Sequence, residues 1–146
     1  MDNMTPQQLH NRMSRIRGKA TKPELQVRNW LWNHGYRYRL NVNSVPGKPD
    51  IILRRYRTAI FVNGCYWHGH EGCNKYTIPK SNTDFWIAKV RRNKERDLQN
   101  YQDLHDAGWN IIVVWECQLK KNIIEDTMRN VEHSLNKNLL KIYEST

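Results

Sequence analysis

Three cysteines and two nearby histidines place the strongest constraint on how this chain can fold. Cys65 and Cys73 lie in Gly64-Cys65-Tyr66-Trp67-His68-Gly69-His70-Glu71-Gly72-Cys73, and Cys117 ends the distant segment Val113-Val114-Trp115-Glu116-Cys117. Three thiols and one imidazole are enough for a closed tetrahedral zinc site. Closing it needs a fold that returns Cys117 to the earlier loop. Spacing does not choose between His68 and His70 as the nitrogen ligand. Either way a histidine and two large aromatics are left over, so the loop is expected to do more than hold metal. The odd cysteine count, and an N-terminus without an apolar stretch of signal-peptide type, point to the cytoplasm, where clustered thiols suggest metal rather than disulfides.

A length of 146 residues fits one domain with a real core. The charge balance is 24 Lys and Arg against 14 Asp and Glu, a net +10, which favours a polyanionic partner and nucleic acid first. Six tryptophans and seven tyrosines lean the same way, because aromatics stack on bases or wedge between them, although they also fill cores. No apolar run reaches the length of a membrane span.

Along the chain, Thr5-Pro6-Gln7-Gln8 predicts a helix start, with a basic arm (Arg12, Met13, Arg15, Arg17) stopped by Gly18. Thr21-Lys22-Pro23-Glu24 repeats that signature. Val27, Trp30, Leu31 and His34 follow at helical spacing up to Gly35. Strands are predicted at Tyr36 to Leu40, at Asp50 to Leu53 after the Pro46-Gly47-Lys48-Pro49 turn, and at Thr58 to Val62 as a buried central strand. A long helix from about Thr83 to Ala107, a buried strand from Trp109 to Trp115 and a helix over roughly Ile123 to Lys137 complete an α/β domain with a small central sheet.

Several residues have an ordinary reading beside a chemical one. Asp50, at the mouth of a strand after a turn, reads as a turn carboxylate or as a magnesium ligand facing phosphate oxygens. Glu24 is fully explained as a capping-box residue unless the helix start faces Asp50. If His70 binds zinc, His68 is free for general-base work. Trp86, Lys89 and Asn93 share one face of the long helix, while Phe85, Ala88, Leu98, Tyr101 and Leu104 are assigned to apolar contacts. Arg91, Arg92, Lys94 and Arg96 make a basic run that is either a solvated flank or a face laid on DNA.

Taken together, these segments resemble the very-short-patch repair (Vsr) DNA mismatch endonucleases. The likeness rests on Met13 in its basic arm, Pro46-Gly47-Lys48-Pro49-Asp50, Ile60 through His68, Phe85-Trp86, Asn93-Lys94-Glu95-Arg96-Asp97, Gly108-Trp109 and Val113 through Cys117. It covers about Asn11 to Leu119 in order. The resemblance implies a restriction-endonuclease-like domain over 1–146, with a DNA-contacting arm over 1–19, a catalytic core over 20–120 and a C-terminal helix over 121–146. It implies a Mg2+-dependent nick 5′ of the thymine in a T:G mismatch, of the kind that 5-methylcytosine deamination creates beside a cytosine-5 methyltransferase target. By position, Asp50 and the Val62 carbonyl would hold magnesium, His68 would take the proton of the attacking water, and Glu24 would support the site. Zinc would be held by Cys65, His70, Cys73 and Cys117. Tyr66, Trp67 and Met13 would wedge beside the mismatch, which Trp86, Lys89 and Asn93 would face. A monomer is expected, since a mismatch in asymmetric context needs no two-fold symmetry.

The chain also departs from the resembled pattern. The wider nuclease superfamily usually carries an acid and a lysine on the strand after the aspartate. Ile60-Phe61-Val62-Asn63 has neither, so a histidine must serve as base. Asn63 stands where some members have a second histidine, which leaves a metal-bound water to protonate the leaving oxygen. Tyr66 replaces a frequent Phe, and one extra residue separates His70 from Cys73.

Overall fold

The computed structural model describes residues 21–65, 70 and 81–144. The first predicted helix and the arm with Met13 lie outside the described residues, as do Tyr66, Trp67, His68 and Cys73. Helix α1 (Lys22–Asn33) begins where its sequence says: Thr21 is extended and its Oγ1 accepts the Glu24 N–H at 3.3 Å. Strand β1 (Ile51–Leu53) runs through a short 3-10 turn into β2 (Thr58–Asn63). Helix α2 (Thr83–Asp106), β3 (Asn110–Trp115) and α3 (Ile124–Glu144) follow.

The sheet is mixed, in the order β1-β2-β3, with β1 antiparallel and β3 parallel to β2. Alternation along the strands divides the core in two. Ile51, Leu53, Ile60 and Val114 pack with Val27, Leu31, Met128, Val131 and Leu135, from α1 and α3. Ile52, Ala59 and Phe61 pack with Val45 and with Leu104 of α2. The sheet therefore lies between α1 and α3 on one face and α2 on the other. Burying such side chains contributes about 1.5–3 kcal/mol each.

Three expectations need correction. The strand predicted over Tyr36 to Leu40 shrinks to a single antiparallel bridge, Arg39 to Ile52, because the backbone turns left-handed at Asn41 (φ 53°) and leaves the ladder. Among the described residues the strand at Trp109 to Trp115 is an edge rather than a buried element, and Val114 alone in β3 is buried. The last helix continues past Lys137 to Glu144. Its extension is held by a polar contact that hydrophobic spacing cannot reveal: buried Asn138 donates its Nδ2–H to Thr58 Oγ1 at 3.1 Å. The same helix also accepts Trp30 Nε1–H at Glu125 and Tyr36 O–H at Glu132, each at 3.0 Å.

The turn before Asp50 is tightly built. Gly47 has a φ of +79°, and a Cβ there would lie 2.8 Å from Asn100 Cβ on α2. Gly47→Ala therefore meets both a backbone and a packing objection. We expect it to lower stability by about 1–3 kcal/mol, read as a drop in melting temperature. An unchanged melting temperature would show that the turn can move off α2.

Candidate functional site

The parallel ladder explains how the remote cysteines meet. Its pairs run from Thr58 with Asn110 to Asn63 with Trp115. Two residues further along each chain stand Cys65 and Cys117, so the register carries them to the same end of the sheet. The His70 N–H then donates to the Cys65 carbonyl at 2.9 Å, folding the loop back. The His70 ring stacks flat on Trp115, with centroids 4.1 Å apart at 4°. Its Nδ1 lies 3.4 Å from Cys117 Sγ, and the ligand atoms of Cys65, His70 and Cys117 all fall within 4.8 Å of one another. A tetrahedral zinc with ordinary bond lengths separates a sulfur and a nitrogen ligand by about 3.5 Å, so the donor set and its spacing fit that ion. Among the described residues it is His70 that joins the two thiols. The fourth expected ligand, Cys73, lies outside them.

Beside this cluster, at the same end of β2, sits Asp50. Its Oδ2 accepts the Val62 N–H at 2.7 Å, which ties the turn before β1 to the end of β2. Helix α1 brings Glu24, in its first turn, close enough to Asp50 for the second carboxylate to act on the first. Asp50, partly buried beside another carboxylate, resists ionisation. Burial pushes the Asp50 carboxyl from 3.8 up to about 7, against the Val62 N–H, which lowers it, and the Glu24 hydrogen bond and charge raise it further. A carboxylate pair poised in this way is suited to a hard divalent cation, whose charge would remove the repulsion.

Two neighbours of this site were not legible as such. Arg28 places Nη1 3.5 Å from Glu24 Oε2, one helical turn on, an i,i+4 spacing that was available in the sequence. Tyr101, assigned to apolar contacts, does pack edge-on against Phe61, yet its hydroxyl accepts Asn63 Nδ2–H at 3.2 Å. Burial raises its phenol above the usual range, Asn63 lowers it, and the charges of Asp97 and Asp50 raise it.

On α2, Trp86 is only 4% exposed, so it offers little surface to a partner. Lys89 and Asn93 are half-buried on the same helix. Phe85 and Leu98, by contrast, are 51% and 68% exposed and lie outside the core, although Phe85 meets the Trp86 ring edge-on with centroids 5.1 Å apart. Arg91, Arg92 and Arg96 on the same helix are exposed as well. Among the described residues no helix is long and apolar enough to cross a membrane.

Comparison with known proteins gives a consistent result. The family model for DNA mismatch endonuclease Vsr matches residues 1–75. The chain is 52% identical over 112 residues to the type II nicking enzyme V.NmeAIP of Neisseria meningitidis serogroup A, covering 77% of this chain and 79% of that one. It is 40% identical over 131 residues to the type II nicking enzyme V.XorIIP of Xanthomonas oryzae, covering 89% and 96%. Against the DNA mismatch endonuclease Vsr of Escherichia coli it is 36% identical over 108 residues, covering 74% and 69%.

Proposed function

The chain belongs to the Vsr family of DNA mismatch endonucleases, and from that premise we propose that it nicks one DNA strand on the 5′ side of the thymine in T:G mismatches left by 5-methylcytosine deamination. The observation that carries this reading is Asp50, held by the Val62 N–H at 2.7 Å at the sheet end where Cys65, His70 and Cys117 also converge. A turn aspartate has no structural need to stand beside a metal-ligand cluster. A metal-dependent phosphodiesterase site gives both a use.

Asp50 and the Val62 carbonyl would hold Mg2+, with Glu24 as a supporting acid near the site. When bound, that ion supplies charge neutralisation on the phosphoryl oxygens. His68, in the loop bounded by Cys65 and His70, would act as general base toward water. Cys65, His70, Cys73 and Cys117 would hold a structural Zn2+, and the bracing would keep Tyr66, Trp67 and His68 in register with Asp50. Tyr66, Trp67 and, from the arm, Met13 would insert beside the mismatch. A T:G pair stacks and pairs weakly, so that insertion costs less there than at a proper pair, which is itself discrimination. Trp86, Lys89 and Asn93 would face the mismatched pair. The enzyme would act as a cytoplasmic monomer alongside a cytosine-5 methyltransferase. The likeness to type II nicking enzymes favours one second reading, a nickase with a broader or restriction-type target.

End-labelled duplexes test this. We expect a Mg2+-dependent cut 5′ of the thymine in T:G and none in T:A, abolished by EDTA. Equal cutting of both duplexes would favour the second reading. Binding without cutting would make the protein a zinc-braced DNA-binding module.

A further inference from the structure

Among the described residues, the hydroxyl of Tyr101 stands at the Asp50 end of the sheet with no part in the chemistry above. Its ring is fixed edge-on to Phe61, with centroids 5.1 Å apart at 69°. Its oxygen is fixed by Asn63, which is 4% exposed and donates its Nδ2–H at 3.2 Å. Asn63 follows Val62, whose own N–H is on Asp50, so Asp50, Asn63 and Tyr101 lie along one strand end. An oxygen that accepts from Asn63 keeps its own O–H proton to donate. Among the described residues that proton has no acceptor. A half-buried donor, held on two sides and left unspent beside a cation-binding carboxylate pair, suits an anionic oxygen carried in by the substrate.

We propose that Tyr101 is a further catalytic residue of this nuclease, donating its phenolic O–H to a non-bridging oxygen of the scissile phosphate, with Asn63 as its positioning residue. The inference rests on the nuclease reading above and adds a contact to it. The bond is of the charge-assisted kind, O–H to an anionic oxygen. It strengthens as negative charge grows on the phosphoryl group in the transition state, so it favours reaction more than binding. The proton stays on tyrosine throughout, and burial, which raises the phenol above its usual range, keeps it there.

Tyr101→Phe retains the ring and its contact with Phe61 while removing the donor. Single-turnover nicking of the T:G duplex should slow about 10- to 100-fold, with duplex affinity and melting temperature unchanged. Asn63→Ala should reproduce much of that loss, and adding Tyr101→Phe to it should cost little more, because the two act as a unit. A second readout does not depend on turnover. In protein labelled with 13C at tyrosine Cζ, the resonance missing from Tyr101→Phe should shift when the duplex binds with Ca2+ in place of Mg2+. A wild-type nicking rate in Tyr101→Phe, or an unshifted resonance in the DNA complex, would overturn the proposal. A wild-type protein that binds T:G but does not nick it would overturn the nuclease reading instead. The resonance would still decide whether Tyr101 meets the phosphate.

Discussion

Replacing Asp50 with asparagine is expected to abolish nicking of the T:G duplex and, at the same time, to stabilise the metal-free protein above neutral pH. The two effects share one cause. Asp50 is placed in a partly buried position beside a second carboxylate, Glu24, and its carboxyl is pushed from 3.8 up to about 7. The native protein therefore retains a proton that the unfolded chain has released between about pH 4 and pH 7. For a raised carboxyl the stabilising contribution is complete below the unfolded value and is lost as pH rises through the folded one. At about 1.4 kcal/mol per unit, ionised Asp50 costs the metal-free fold up to about 4 kcal/mol at pH 8. Asparagine keeps an acceptor for the Val62 N–H, offers an N–H to Glu24 and cannot ionise. We expect a gain of about 1–3 kcal/mol at pH 8 that vanishes near pH 4, read from melting temperatures across that range. Mg2+ should raise the wild-type melting temperature and leave that of the variant alone. Nicking should fall about 10³-fold or more, since a lost metal ligand removes several kcal/mol of transition-state stabilisation at 1.36 kcal/mol per tenfold. Affinity for the duplex in EDTA should hold. Mg2+-dependent nicking within tenfold of wild type would remove Asp50 from the site, and parallel pH–melting curves would show that it ionises normally.

The same residues show how far a sequence can be read. Helix caps and strand cores were legible, because Thr21 and the Ala59-Ile60-Phe61 run act through neighbours a few positions away. The meeting of Glu24 with Asp50 was not. It depends on the angle at which α1 crosses the sheet, which is set by Val27 and Leu31 packing on Ile51 and Ile60. The overlong strand at Tyr36 to Leu40 failed for a local reason, the left-handed Asn41, that alternation does not report. The apolar packing of Tyr101 was legible and its polar contact was not, because periodicity reports which face of a helix is buried and says nothing about what its hydroxyl reaches. Trp86 and Phe85 are adjacent aromatics at the start of α2, and hydropathy could not say which one turns inward; Trp86 is buried and Phe85 exposed.

Cys117→Ser should strip the protein of zinc and lower its stability together. Serine matches the size of cysteine but offers a hard, protonated oxygen where zinc needs a thiolate. Cys117 stands just beyond the last pair of the β2–β3 ladder, opposite Cys65, with His70 Nδ1 at 3.4 Å from its sulfur. β3 is the edge of the sheet among the described residues, with little of it fully buried, and its end meets the loop that follows β2 through the His70–Trp115 stack and the thiol cluster. A structural zinc site of this type carries on the order of 10 kcal/mol of binding free energy, which is also folding free energy. Losing one of its ligands should remove several kcal/mol of that and bring zinc below one equivalent by elemental analysis. Nicking should fall further than duplex affinity, because the segment between Cys65 and His70 includes His68. Prolonged chelation of the wild type should reproduce the lower melting temperature, whereas chelating the variant should change little. Full zinc in Cys117→Ser would place the fourth ligand elsewhere. Zinc lost at unchanged melting temperature would mean that the ion sits on a fold already held by Phe61, Val114 and the ladder between them.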